Sequence, residues 1–349
     1  MKNVKLLCLI LLIVACLGSL AGCGKYVPYD YDVSKYITLG EYKGLSAEYE
    51  NIDVTDADLQ QAINSQLREN GYGEPEQVTE GKILYGDIVT MDYSGAINGK
   101  NDAALSATEL ELEIGTDTFL EDFELGLVGQ NIGETFTMEI PFPADYVKID
   151  YAGKNVTYAV TVRSVDRMVY PQLTDEMVVD ISSYATVEEY TKAKKEELAQ
   201  TFLQQADEAR EQALWDQVVA NCNVESYPED AIEYITETYR SQFEEEAALA
   251  GLEMKEYLEQ NNLTWDEINA YILNNAQIKC KDEMVMYAIA RAEDLRASED
   301  EIAALAKSYA DTYGYKNVKD LYKNHSKELV EQALLYQKVK DFVVENAAE

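Results

Sequence analysis

An α+β fold is predicted for this chain: an antiparallel sheet around a short helix, inserted in or followed by an elongated all-α domain. Three observations predict it. Between residues 86 and 165 apolar and polar residues alternate at period two, with Gly and Asn at the turns, as in a sheet covered on one side. Inside that block Phe119, Leu120, Phe123 and Leu127 form one apolar stripe of a short helix, a natural partner for the covered face. After Pro171 the texture turns helical, and stretches such as 187–221 and 265–296 contain neither Pro nor Gly.

Composition narrows the function classes. A length of 349 residues predicts two or three domains. Lys+Arg is 29 against 65 Asp+Glu, a net charge of −36, so nucleic acid is not expected as a partner. A single histidine, His325, leaves no room for a His-based triad or a multi-His metal site. No metal and no cofactor is expected. The strands are grouped ahead of the helices rather than alternating in βαβ units over two lobes, which places a solute-binding lipoprotein behind the other readings.

The elements follow in order. Residues 1–22 read as a signal peptide, with Lys2 and Lys5 ahead of an apolar run, Leu6 to Leu17, too short to span a bilayer comfortably. Leu20-Ala21-Gly22-Cys23 looks like a bacterial lipobox, which implies cleavage before Cys23 and lipid on its thiol; an ordinary signal peptide with an incidental cysteine is the alternative. Residues 23–36 look like a solvated tether. Residues 37–80 are a strand and helix segment expected to pack on the helical body, with Thr55 and Asp58 as a capping box and Leu59, Ile63 and Leu67 at helical spacing. Residues 81–168 form the sheet domain. In the helical domain, 172–349, Thr186-Val-Glu-Glu189, Thr264-Trp-Asp-Glu267 and Ser298-Glu-Asp-Glu301 each open a helix. Cys222 and Cys280 remain outside the signal and lipobox, either as a disulfide or as two buried free thiols.

The sheet block carries a more specific pattern. It reads Gly86-Asp-Ile-Val-Thr-Met-Asp-Tyr-Ser-Gly95, Glu113-Ile-Gly115, Phe119-Leu-Glu-Asp-Phe-Glu-Leu-Gly-Leu-Val-Gly129, Gly133-Glu-Thr-Phe136, Phe142-Pro-Ala-Asp-Tyr146 and Tyr158-Ala-Val-Thr-Val162. This order resembles an FKBP-type peptidyl-prolyl isomerase domain of the variety carried by trigger factors, and Pro171-Gln-Leu-Thr-Asp-Glu176 resembles the link that follows it there. The resemblance implies an FKBP-like sheet and an apolar pocket built from Tyr93, Phe119, Leu120, Phe123, Tyr146 and Tyr158, which isomerises X–Pro bonds without acid, base or metal. It implies unfolded or proline-containing polypeptides as partners and a helical chaperone body. There Met254, Tyr257, Leu258, Trp265, Ile268, Tyr271, Ile272, Met284, Met286 and Tyr287 are candidates to line a client cradle or simply to pack helix on helix.

Departures from the family pattern stand beside it. Asn101-Asp102-Ala103-Ala104 occupies the place of an aromatic pocket wall, and Glu121-Asp122 the place of Pro-Gly. No Gly-Phe-Arg-x-Gly-Lys ribosome-docking loop occurs before residue 86, so the ribosome is not expected as a partner. Taken together, the expected protein is an extracytoplasmic foldase, anchored to the membrane through Cys23 and acting on secreted chains. The alternative is a non-enzymatic holdase whose isomerase site is degenerate.

Overall fold

A computed structural model describes residues 31–49, 51–116, 118–148, 150–261 and 263–348. The expected signal peptide, Cys23 and most of the tether lie outside these residues. The elements are β1 (Ile37–Thr38), α1 (Asp56–Glu69), β2 (Glu74–Val78), β3 (Ile88–Ile97), β4 (Lys100–Glu113), α2 (Glu121–Leu127), β5 (Thr135–Pro141), β6 (Asn155–Val169), α3 (Asp175–Ile181), α4 (Val187–Asn221), β7 (Asn223–Val224), α5 (Glu229–Leu249), α6 (Met254–Gln260), α7 (Trp265–Ala292), α8 (Glu299–Thr312), α9 (Val318–Asn324) and α10 (Lys327–Glu345). The described residues divide into two compact units, 51–205 and 31–49 with 206–348.

The first unit holds an antiparallel sheet in the order β2-β6-β3-β4, with β5 pairing the early part of β6. β6 is long enough to serve two neighbours on one side, β5 through Asn155–Thr161 and β2 through Val165–Val169. Alternation does what period two requires: Val89, Met91, Val156, Val160 and Val162 are buried, and α2 lays Phe123 and Leu127 on that face. Asn98 and Gly99, both at positive φ, make the two-residue turn between β3 and β4. Asp87 is buried and forked by Arg167, with Nε and one terminal nitrogen each 2.7 Å from its oxygens, which ties the end of β6 to the 82–87 loop.

The sheet is framed by helices that precede and follow it in sequence. Thr55 and Asp58 form the reciprocal cap of α1. At its other end Gly71, at positive φ, lets the Tyr72 N–H reach the Leu67 carbonyl, and the helix stops. Ile63 and Leu67 then pack with Val178 of α3 and Tyr190 of α4. The sheet is thus inserted between elements that share one small core.

This corrects the expected domain limits. The 37–80 segment does not behave as one piece. Residues 31–49 join the helical unit, and 31–36, expected within the solvated tether, put Val33 into its core; α1 and β2 belong with the sheet, which therefore starts at Glu74 rather than 81. The reason is pairing: Glu74–Val78 finds a free stretch of β6, which alternation within 74–78 does not disclose. Likewise α3 and the first part of α4 group with the sheet unit.

In the second unit α4, α5, α7 and α10 enclose a core that includes Leu214, Trp215, Val218, Ile235, Met284 and Val339. Trp215 Nε1 donates to Asp282 Oδ1 at 2.5 Å and Tyr336 donates to Asp282 Oδ2 at 2.8 Å, so one carboxylate satisfies both polar aromatic edges. Cys222 and Cys280 are both buried in this core as free thiols, which decides between the two expectations for them. Ile302, Ala306, Leu321 and Val330 form a smaller core under α8, α9 and α10.

Candidate functional site

The site is an aromatic hollow in the sheet unit, and its floor is set by short-range steric rules. Gly95 on β3 has no Cβ to spare: one would lie 2.7 Å from the Leu105 Cβ and 2.9 Å from a ring carbon of Tyr158. Only glycine leaves room there for both the Leu105 side chain and the Tyr158 ring. Two residues earlier on β3, Tyr93 sits between two irregularities in the β3–β4 pairing. The second irregularity leaves Ala103, Ala104 and Leu105 of β4 without partners on β3, and this bulge turns Ala104 and Leu105 into the hollow.

α2 supplies the opposite wall. Leu120 caps its N-terminus, with its carbonyl accepting from the Phe123 N–H at 2.8 Å. Leu120 lines the hollow, and its own N–H has no acceptor among the described residues. Phe119 and Phe123 stack with centroids 5.0 Å apart. Tyr93 meets Phe119, Phe123 and Tyr158 edge-on at 5.9, 5.6 and 5.7 Å. These four rings form one cluster of the edge-to-face kind that aromatic quadrupoles favour. A second cluster comes from the loop between β5 and β6, where Phe142 lies 4.6 Å from Tyr146 and 6.0 Å from Tyr151, centroid to centroid.

Between the clusters lies a hollow of about 90 Å³, lined by Tyr93, Phe119, Leu120, Phe123, Tyr146 and Tyr158 together with Ala104, Leu105, Ile140, Phe142, Lys148 and Tyr151. That volume exceeds one water's share, about 30 Å³, and falls short of the roughly 150 Å³ cavity that takes benzene. All six residues expected from sequence are therefore brought together. Leu105, Ile140, Phe142 and Tyr151 were missed, although the Phe142-Pro motif and the spacing of Tyr151 from Tyr146 were visible signals.

The wall at 101–104, where the family pattern has an aromatic, is closed by other residues. Asp102, which stands where an aromatic was sought, anchors a substitute. Its Oδ1 accepts the Ala104 N–H at 2.9 Å and closes the bulge; its Oδ2 accepts the Tyr151 hydroxyl at 2.9 Å and holds that ring against the hollow. Glu121 and Asp122 are exposed in the first turn of α2 and do not line the hollow.

Glu124 was also missed. It is buried on α2, and its carboxylate accepts three backbone N–H groups, from Gly115 at 2.7 Å, Thr116 at 3.1 Å and Phe119 at 2.8 Å. A buried carboxylate satisfied in this way pins the loop that delivers Phe119.

The electrostatics suit a site without proton transfer. Burial raises the phenols of Tyr93, Tyr146 and Tyr158 above their ordinary range. Tyr151 is pushed up to about 12, by burial and then by its bond to Asp102. Asp102 is held below the usual carboxylate range by the Ala104 N–H and the Tyr151 hydroxyl, with Lys148 adding to the effect. Among the described residues no cluster of His, Cys, Asp and Glu is placed to hold a metal ion.

The helical candidates read differently. Tyr257, Leu258, Ile268, Tyr271, Ile272, Met284 and Met286 are all buried and serve as core, not as an open cradle. Of that group Trp265 is the large exposed member, at 50%.

Comparisons with known proteins agree with this architecture. Residues 80–163 match the FKBP-type peptidyl-prolyl cis-trans isomerase model, and residues 186–345 match the bacterial trigger factor protein C-terminus model. The chain is 31% identical over 318 residues to the trigger factor of Carboxydothermus hydrogenoformans, covering 90% of this chain and 74% of that one. It is 31% identical over 333 residues to the trigger factor of Clostridium botulinum strain Okra, covering 94% and 77%. The Clostridium beijerinckii trigger factor is 28% identical over 330 residues, covering 93% and 77%. A solved trigger factor chaperone, described for promiscuous substrate recognition in folding and assembly, aligns with a TM-score of 0.40 at 18% identity over 88% of this chain and 72% of its own.

Proposed function

The chain belongs to the trigger factor family, and on that premise we propose that it is a foldase that isomerises X–Pro bonds in its sheet unit and binds unfolded secreted polypeptides. The observation that carries the isomerase reading is the hollow itself: seven aromatic rings around a space of about 90 Å³, with no carboxylate on its walls among the described residues.

An X–Pro amide rotates over a barrier of about 18–20 kcal/mol because resonance holds it planar. Halfway through the rotation conjugation is lost and the carbonyl becomes less dipolar. An apolar, water-poor hollow disfavours the planar, dipolar form relative to the twisted one. The Leu120 N–H, without an acceptor among the described residues, is available to donate to a substrate carbonyl. Each residue thus acts by packing or by orienting, and none need change its protonation.

The test is a refolding reaction limited by proline isomerisation. The mature protein should accelerate it in proportion to concentration, and Phe123→Ala or Tyr158→Ala should lower the acceleration at least tenfold, the scale of losing roughly 1.4 kcal/mol of transition-state binding. Suppressed aggregation with unchanged isomerisation would instead leave a holdase.

The site of action we propose is the outer face of the cell membrane, away from the ribosome. The support is sequence: Lys2, Lys5, the apolar run Leu6 to Leu17, and Leu20-Ala21-Gly22-Cys23. Labelled palmitate should enter the protein in cells and be lost in Cys23→Ala. A Cys23→Ala protein that keeps its label and stays membrane-bound would remove the anchor from the account.

A further inference from the structure

We propose that Lys148 makes the hollow selective for prolines flanked by a carboxylate side chain, on the residue just before or just after the prolyl ring. The inference rests on the isomerase reading and adds a substrate class to it.

Among the described residues lining the hollow, Lys148 is the one charged group. It is half-buried, on the loop that also carries Tyr146 and Tyr151. Its ammonium forms no salt bridge with any described residue. Asp102 feels the charge of Lys148, as it feels that of Lys100. Both oxygens of Asp102 are already engaged, one by the Ala104 N–H and one by the Tyr151 hydroxyl, and no direct ion pair to Lys148 forms. Lys148 thus brings a cation with three donors to the lining of an otherwise apolar space, with no salt-bridge partner among the described residues. A carboxylate one residue from a bound prolyl ring is the group that would meet them.

The overall charge of −36 works against acidic ligands, and so do the exposed carboxylates of Glu121, Asp122, Asp145 and Asp150 near the lining residues in sequence. Distance decides which effect wins. Solvent-exposed charges fade over about 8 Å at physiological salt, whereas a contact pair beside an apolar wall is screened far less. A partly exposed pair of this kind is worth a selectivity of about threefold.

The experiment uses the full mature protein and short peptides capped at both ends, so that no terminal carboxylate competes. They differ only in Glu, Ala or Lys at the residue before proline, with a second set varied at the residue after. Isomerisation kcat/KM is read by exchange spectroscopy and affinity by NMR titration, at about 0.15 M salt. The Glu peptide should exceed the Lys peptide by about threefold or more, in at least one register. The ratio should fall to one or below in Lys148→Met, invert in Lys148→Glu and persist in Lys148→Arg. Ratios within one variant cancel any general loss of activity. Equal handling of Glu and Lys peptides by the wild type, or a ratio unchanged in Lys148→Met, would overturn the proposal. Were no peptide isomerised while the binding ratio held, the charge selectivity would stand and the isomerase reading would fall. Equal isomerisation of all peptides would have the opposite meaning.

Discussion

At the scale of single residues, the hollow depends on what a side chain lacks as much as on what it carries. Gly95 admits the Tyr158 ring, and a β-branched residue there would drive Leu105 and Tyr158 apart. The titrating groups around the hollow are displaced outward in both directions: Tyr93, Tyr146, Tyr151 and Tyr158 upward, Asp102 downward. A phenol with a raised pKa stays neutral as pH climbs past its ordinary range, and a carboxyl with a lowered pKa stays ionised as pH falls toward its ordinary range. The isomerisation rate should accordingly be flat from about pH 6 to about pH 9, well inside ordinary Asp and Tyr values. A bell-shaped kcat/KM profile in that window would reveal an acid or base that the packing account lacks.

At the scale of elements, two carboxylates convert loops into walls. Asp102 joins the β4 bulge to the loop before β6, and Glu124 joins α2 to the 115–119 loop. Glu124→Ala removes a buried carboxylate and its three hydrogen bonds to the part-buried 115–119 loop, so a loss of about 1–3 kcal/mol in the stability of the sheet unit is expected. The accompanying effect on catalysis should lie in KM, since the loop delivers Phe119 without taking part in the rotation. Glu124→Gln keeps one acceptor oxygen and should fall between Ala and wild type. Denaturation of the sheet unit and steady-state kinetics on a proline peptide check this together. A wild-type KM in a folded Glu124→Ala protein would show that the loop holds its place unaided.

At the scale of the whole molecule, the N-terminal segment 31–49 is structural in its own right. Val33 and Ile37 enter the helical core, β1 pairs with β7, the Gly44 N–H donates to the Asn346 carbonyl at 2.8 Å, and the Ala348 N–H donates to the Leu45 carbonyl at 2.7 Å. Gly40 is required by contact: a Cβ there would lie 2.1 Å from the Asn221 carbonyl oxygen. Removing 31–49 exposes two large apolar side chains' worth of core, each worth about 1.5–3 kcal/mol. The helical unit should lose about 3–6 kcal/mol while the sheet unit keeps its own transition. In a Trp265→Phe background the emission of buried Trp215 reports the helical unit alone. An unchanged midpoint there would reduce the segment to a passive strap.

Much of this was legible in the chain. Period-two alternation located β3, β4, β5 and β6, and the caps at Thr55, Thr264 and Ser298 formed as written because a cap is decided within four residues. The six pocket residues were legible because their motif order resembles a known family. Other features needed the tertiary structure. Tyr151 and Asp102 stand 49 residues apart, and nothing local says that they will meet. Strand β2 needed a free length of β6 to exist at all. Met284 and Tyr271 share their helical texture with any client-binding face, yet they are buried. Periodicity tells which side chains lie on one face of an element; only the assembled chain determines what, if anything, covers that face.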